Sequence, residues 1–467
     1  MSEAIGLKLN NSKCELISNS KAPVINTFKD FVQLQPDSAF LLGAPLTTGP
    51  AMDQALQQRN SDLERGIENL KKLAAHDALI LLRHSFSAPK LLHKLRSSPC
   101  VDHPLLQDFD RLIKNGLGQI TNSSISDTQF IQASLPVKDG GLGIRRVTSL
   151  APSAFLASAA GTLNIQEQIL SQSTSLSDKH VELIRSNWTT THNQPCPPVD
   201  VAFKQAAWDK PVVLAEKELL LSNAQDIHNK ARLLAAFSPH SGDWLNAMPI
   251  SSCGLRLDDE AIRVSVGLRL GLNLCEPHPC PCGSTVDARG IHGLSCRRSS
   301  GRMSRHQSIN DLIWRSLNRA QIPSCKEPAG LSRTDGKRPD GLSLIPWQAG
   351  KSLLWDVTVA DTLAASHLAT TSSLAGAAAE SAALKKIDKY RELLNSYLFV
   401  PISFETMAQL ISKQAINFLK ELGKRISAVT RDEREGAFLF QRLSITLQRF
   451  NNVCFRGSFI TPEDYSN

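Results

Sequence analysis

The sequence predicts a mostly α-helical N-terminal half followed by an α/β core, in which elements run α-β-β-β-α-β and a mixed sheet is flanked by helices. Three observations carry that expectation. From about residue 51, apolar residues recur at helical spacing with charges between them. Between residues 301 and 405 the period changes: HQSINDLIWRSLNRAQ is helical, whereas SCKEPAG, RPDGLSLIPW and KSLLWDVTV read as strands. Then AAAESAALKKIDKYRELL, rich in strong helix formers, precedes the buried strand pattern YLFVPISFET.

Taken in order, residues 1–35 hold GLKLNNSKCEL and, after a turn-rich gap, VINTFKDFVQL, which read as two or three strands. Residues 36–150 are helical, with Leu56, Leu63, Ile67, Leu70 and Leu73 on one face, followed by HDALILLRHSF and PLLQDFDRLIKNGLGQI. The loop LPVKDGGLGI carries Gly140, Gly141 and Gly143 without the spacing of a phosphate-cradling motif, so it is read as a turn. Residues 151–270 open on the helix APSAFLASAAGTLNIQEQIL. They contain a Ser-, Thr-, Asn- and Pro-rich stretch, 172–200, expected to be a linker, and return to helix after 201. Residues 271–300 form a cysteine-rich segment, 301–405 the α/β core, and 406–467 a helical tail.

At 467 residues the chain can bury a sizeable core without crosslinks. Its net charge of +8 suits an anionic partner such as nucleic acid. Ten cysteines are too few for a disulfide scaffold, and four crowd between residues 275 and 296, which favours metal. The N-terminus lacks a basic and apolar signal pattern, and no apolar run reaches a membrane-spanning length. A nuclear or cytoplasmic, non-secreted protein is expected.

In CPCGSTVDARGIHGLSC, Cys280 and Cys282 are one residue apart, and His292 and Cys296 follow. Two soft ligands on a tight turn and a His/Cys pair at turn or helical spacing can converge on one tetrahedral Zn²⁺. Four protein ligands leave no open position, so the ion would be structural. Cys275 and His278 are close enough in sequence to replace one ligand. The next stretch, CRRSSGRMSR, offers Arg297, Arg298, Arg302 and Arg305 for phosphate contacts. His306, Lys337 and Arg338 extend that candidate nucleic-acid surface.

Two acids stand out in the core. Asp340 follows a proline, and Asp356 interrupts the apolar run SLLWDVTV, where a lone carboxylate would be costly to desolvate. On paired strands they can lie side by side, and a divalent cation between them would relieve the repulsion, activate water and neutralise a phosphodiester. The following helix places Lys386 and Tyr390 four apart, on one face, where the lysine can orient or deprotonate water and the tyrosine can support it or touch phosphate.

The order of a C-x-C, His, Cys knuckle, RHQSIN, RPD, WDVTV and K-x-x-x-Y resembles the restriction-like endonuclease end of non-LTR retrotransposon polyproteins, over about residues 275–405. The resemblance implies a PD-(D/E)xK nuclease core with Asp340 and Asp356 as ligands to Mg²⁺ or Mn²⁺, Lys386 as catalytic lysine and Tyr390 as its companion. It likewise implies Zn²⁺ on Cys280, Cys282, His292 and Cys296. The chain departs from the pattern at Thr358, two beyond the second acid, so the lysine must come from the helix, and Glu380 and Asp361 stay as alternative participants.

The first 150 residues resemble the end of a reverse transcriptase palm, in GLKLNNSKCEL, and a thumb. The aromatic-x-Asp-Asp signature is not found, and the adjacent Asp258 and Asp259 read as a helix start, so the polymerase part is expected to be an inactive remnant. The expected activity is nicking of a chromosomal DNA strand by metal-activated water. A noncatalytic nucleic-acid binder, of DNA or RNA, and a reverse transcriptase fragment by ancestry are the alternatives.

Overall fold

A computed structural model describes residues 10–18, 28–169, 178–331, 338–407 and 412–460. The chain forms two compact units, each built from separated segments: residues 1–69, 84–114 and 145–215 in one, and 70–83, 115–144 and 216–467 in the other. They therefore do not follow the chain-order division expected from the sequence.

The first unit is helical. Glu15–Ile17 pairs with Val32–Leu34 in parallel, and the helix Pro50–Leu70 buries Leu56, Leu63, Ile67 and Leu70. Leu73, assigned to the same face, lies beyond the helix end and is 46% exposed. Helices Ala88–Ser97 and Val147–Ile169 pack together, and the buried Asp110 carboxylate accepts from the amides of Val147 and Thr148, capping the second. The expected linker is corrected here: within 172–200, Lys179–His192 is a helix capped by Asp178, and its Trp188 is buried edge-on against Trp208. Residues 170–177 lie outside the described residues.

The second unit holds the α/β core. In chain order its labelled elements are α1 (Asp127–Ser134), α2 (Ile227–Ala236), α3 (Asp259–Leu270), α4 (Ser300–Arg319), β1 (Ser324–Lys326), β2 (Gly341–Gln348), β3 (Lys351–Ala360), α5 (Ala377–Lys389), β4 (Leu398–Glu405), α6 (Lys413–Thr430) and α7 (Glu435–Arg456). The sheet order is β4-β3-β2-β1, with β4 parallel to β3 and the other pairs antiparallel. This is the mixed sheet flanked by helices that the element order predicted. Ala349 and Gly350, both at positive φ, form the tight turn between β2 and β3, which suits the twist of antiparallel strands.

β3 is covered on both faces, which explains its nearly continuous apolar run. Trp355 and Val357 join Ile309, Ile313 and Leu317 of α4, Phe404 of β4, Phe418 and Leu422 of α6, and Leu443 of α7 in one core. The helices expected as a tail, α6 and α7, therefore pack into the α/β core. On the other face, Leu354 packs with Tyr390 and Phe399. Gly341 sits opposite Trp355, where an added Cβ would lie 1.9 Å from the indole.

Asp258 caps α3, accepting from the Ala261 amide, as the helix-start assignment for Asp258 and Asp259 requires. The loop at 137–143 is a turn, with Gly140 and Gly143 at positive φ. Among the described residues no helix is long and apolar enough to cross a membrane.

Candidate functional site

The β2–β3 register pairs Gly341 with Trp355 and Leu342 with Leu354. Extending it by one residue places Asp340 directly opposite Asp356. Asp340 Oδ2 accepts from the Val357 amide at 2.6 Å and lies 3.0 Å from His306 Nε2, which is itself 3.1 Å from the Val357 carbonyl. One Nε2–H shared between these two acceptors accounts for both distances. The bond to Asp340 draws the His306 pKa upward against the opposing effect of burial. Asp340 Oδ1 carries no hydrogen bond within the described residues.

Asp356 is 2% exposed, and its Oδ1 lies 2.6 Å from Lys386 Nζ. Burial raises its pKa and the facing Asp340 raises it further, while Lys386 and Tyr390 act in the opposite direction. A cation of the chain itself thus stands beside the buried acid for which the sequence suggested a divalent metal. The Lys386 ammonium balances Asp356, while His306 and a backbone amide hold Asp340.

Lys386 is placed by a residue that the sequence analysis did not single out. α5 starts at Gly376, which has no side chain to cap it. The fully buried Glu405 carboxylate, at the end of β4, supplies the cap instead: its Oε1 accepts from the Ala378 and Ala379 amides at 2.9 and 3.0 Å. The signal was present in an acid ending the apolar run LFVPISFE and in a helix start without Ser, Thr, Asp or Asn.

Tyr390 closes α5 and is buried, so it is not placed to touch a phosphate. Its hydroxyl donates to the Arg338 carbonyl at 2.8 Å, tying down the segment just before Asp340, and it accepts from Lys389. The alternatives Glu380 and Asp361 are engaged elsewhere, accepting from the Lys413 amide and the Thr406 hydroxyl.

The soft ligands converge as their spacing predicts. His278–Pro279 and Thr285–Val286 pair as a small hairpin whose turn carries Cys280 and Cys282, and Gly283 takes the positive φ there. One turn of helix, His292–Ser295, sets His292 and Cys296 four apart. The ligand atoms of Cys280, Cys282, His292 and Cys296 all lie within 4.8 Å of one another, so the group can hold a metal ion. Cys282 Sγ is 3.2 Å from His292 Nε2, and Cys280 Sγ is 3.7 Å from Cys296 Sγ. Hydrogen bonds from Ser284 help lower the Cys282 pKa to about 6, whereas burial pushes Cys280 up to about 11. Cys275 and His278 stand outside the group: the Cys275 thiol lies against the Asp287 and Ala288 carbonyls, and His278 stacks on Phe459.

The basic residues divide. Arg297, Arg298 and Arg302 are exposed, although Arg298 and Arg302 each also bond a nearby carbonyl. Arg338 is exposed and paired with Glu327. Lys337 lies outside the described residues. Arg305 is 2% exposed, donates to Asn451 Oδ1 at 2.9 Å and to the Leu294 carbonyl, and so joins α4 to α7 instead of meeting a phosphate. No protein-family model matches the chain, and a comparison with curated proteins finds no match.

Proposed function

We propose that the chain is a metal-dependent DNA endonuclease of retroelement descent. The observation that carries this reading is the register that sets Asp340 opposite Asp356, with Lys386 ion-paired to the second acid, on the two central strands of a mixed four-stranded sheet. Two carboxylates presenting hard oxygens, one of them an Asp340 Oδ1 with no hydrogen bond among the described residues, fit Mg²⁺ or Mn²⁺. Such an ion, when bound, supplies a water of lowered pKa and offsets charge on the phosphodiester.

The protein's own residues do the rest. Asp356 holds the Lys386 ammonium beside the acids, where it can orient the attacking water and stabilise charge developing on the scissile phosphate. Glu405 fixes the start of the helix that carries Lys386. His306 and the Val357 amide hold Asp340 in one orientation. Arg297, Arg298 and Arg302 supply sequence-independent phosphate contacts, and Zn²⁺ on the Cys/His group is structural.

The test is nicking of supercoiled plasmid by the purified full chain with Mg²⁺ or Mn²⁺, with zinc content measured on the same preparation. Cleavage that is lost in Asp340→Ala and in Lys386→Ala is expected. Absence of cleavage by the wild-type chain, or equal cleavage by Asp340→Ala, counts against the reading. One observation favours a second reading, a nucleic-acid binder without turnover: both acids already have protein partners. That reading predicts salt-sensitive DNA or RNA binding without cutting.

A further inference from the structure

Two buried arginines lie together in the second unit, and they differ in one respect. Arg269 is enclosed: its guanidinium donates to the carbonyls of Val137, Gly141 and Ser241 and ties the 137–143 turn to α3. Arg232, on α2, is equally buried but lines a cavity of about 210 Å³. The walls come from the starts of α1 and α2, the end of α3, and Arg289 from the loop between Cys282 and His292.

Among the described residues, all the acceptors of Arg232 are neutral. Nε and Nη2 donate to Asn229 Oδ1 at 3.0 and 2.6 Å, and Nη1 donates to Gln132 Oε1 at 2.8 Å and to the Arg269 carbonyl. Of the five N–H groups of a guanidinium, one on Nη2 is left over. No carboxylate makes an ion pair with it among the described residues, and burying an uncompensated cation is costly. Burial, with repulsion from Arg289 and Arg269 and against the attraction of Asp226, lowers its pKa to about 9. Gly271, at positive φ, lets the chain pass so close that a Cβ there would sit 2.7 Å from Arg232 Nε. The position of this charge is therefore built in from several elements.

Arg289 faces the same cavity and is only loosely neutralised: Nη1 lies 3.7 Å from Asp226 Oδ1, and Nε lies 3.4 Å from Asp287. Asp226 is committed to capping α2 through the Asn229 amide at 2.7 Å and is half exposed. His228 is 4.0 Å from the same carboxylate oxygen. Two guanidiniums against one lining carboxylate, Asp226, with Ser126, Thr128, Gln129 and Asn223 around them, form a donor-rich recess, which is the chemistry that recognises a tetrahedral oxyanion.

We propose that the cavity between α1, α2 and α3 is a phosphate-binding site, held by Arg232 and Arg289, that takes a phosphate group either free or as part of a nucleotide. It is independent of the nuclease reading, because none of its residues belongs to the acid pair.

The experiment titrates inorganic phosphate into the full chain by calorimetry at fixed ionic strength, with chloride as the control anion. Saturable uptake of phosphate is expected. Arg289→Gln, a change in a partly exposed loop, should weaken it about tenfold or more, and Asp226→Asn, which keeps the cap but removes the competing charge, should tighten it. Phosphate indistinguishable from chloride in the wild type, or unchanged affinity in Arg289→Gln, overturns the proposal. Displacement of bound phosphate by a short oligodeoxynucleotide assigns the site to a strand, and displacement by a deoxynucleoside monophosphate alone assigns it to a free nucleotide.

Discussion

Two side chains with the same charge, three residues apart in CRRSSGRMSR, have opposite surroundings: Arg302 is exposed and Arg305 is buried against Asn451, 146 residues away. Nothing local distinguishes them, so the burial of Arg305 was not legible in the sequence. Asp340 and Asp356 were, because a short hairpin converts spacing directly into opposition across two strands. Arg305→Ala should lower unfolding free energy by about 3 kcal/mol, since it leaves buried acceptors unpaired. Arg302→Ala should leave stability within about 0.5 kcal/mol and, on the nuclease reading, reduce the salt slope of DNA binding by about one. Denaturant melts and salt-dependent binding check these outcomes. His76 carries a pH prediction. It is buried, its Nδ1 accepts from the Leu257 amide, and burial lowers its pKa from 6.5 to about 4. The unfolded chain then binds a proton that the folded chain refuses, so stability falls as pH drops from about 6.5 towards 4, by up to about 3 kcal/mol. His76→Asn, which retains an acceptor, should flatten that part of the stability–pH curve.

Among elements, those with an apolar stripe or strict alternation were readable in advance: Pro50–Leu70, α4 and the β2–β3 hairpin follow their patterns directly. Lys179–His192 was not, because WTTTHNQP looks like a polar connector. In the helix, the Thr189 and Thr190 hydroxyls donate to the carbonyls of Arg185 and Ser186, one turn back, so their polarity does not oppose it. α5 has the reverse character. Its alanine-rich composition announces a helix, but its first turn is fixed by Glu405, brought alongside only when the parallel strand β4 pairs with β3. Glu405→Ala should cost about 2 kcal/mol by leaving two buried amides without acceptors. On the nuclease reading it should also reduce nicking without touching the acid pair, and melting and plasmid assays on one preparation separate the two effects.

For the molecule as a whole, the boundaries were the hardest thing to read, because segments far apart in the chain share a core. α6 and α7 supply Phe418, Leu422 and Leu443 to the sheet's buried face, and α7 also meets the Cys/His segment, where Gly293 packs against the Cys454 carbonyl. A chain ended at residue 405 should therefore give no cooperative melt, although it retains every strand and both acids; circular dichroism on the shortened chain tests this. The contact of Gly341 with Trp355 reaches beyond a single molecule. A methyl group at 341 and an indole at 355 cannot occupy the same space, so mutations at these two sites are not independent events. A lineage that loses the bulky ring first is free to replace the glycine; one that changes the glycine first must shift the strand edge that presents Asp340.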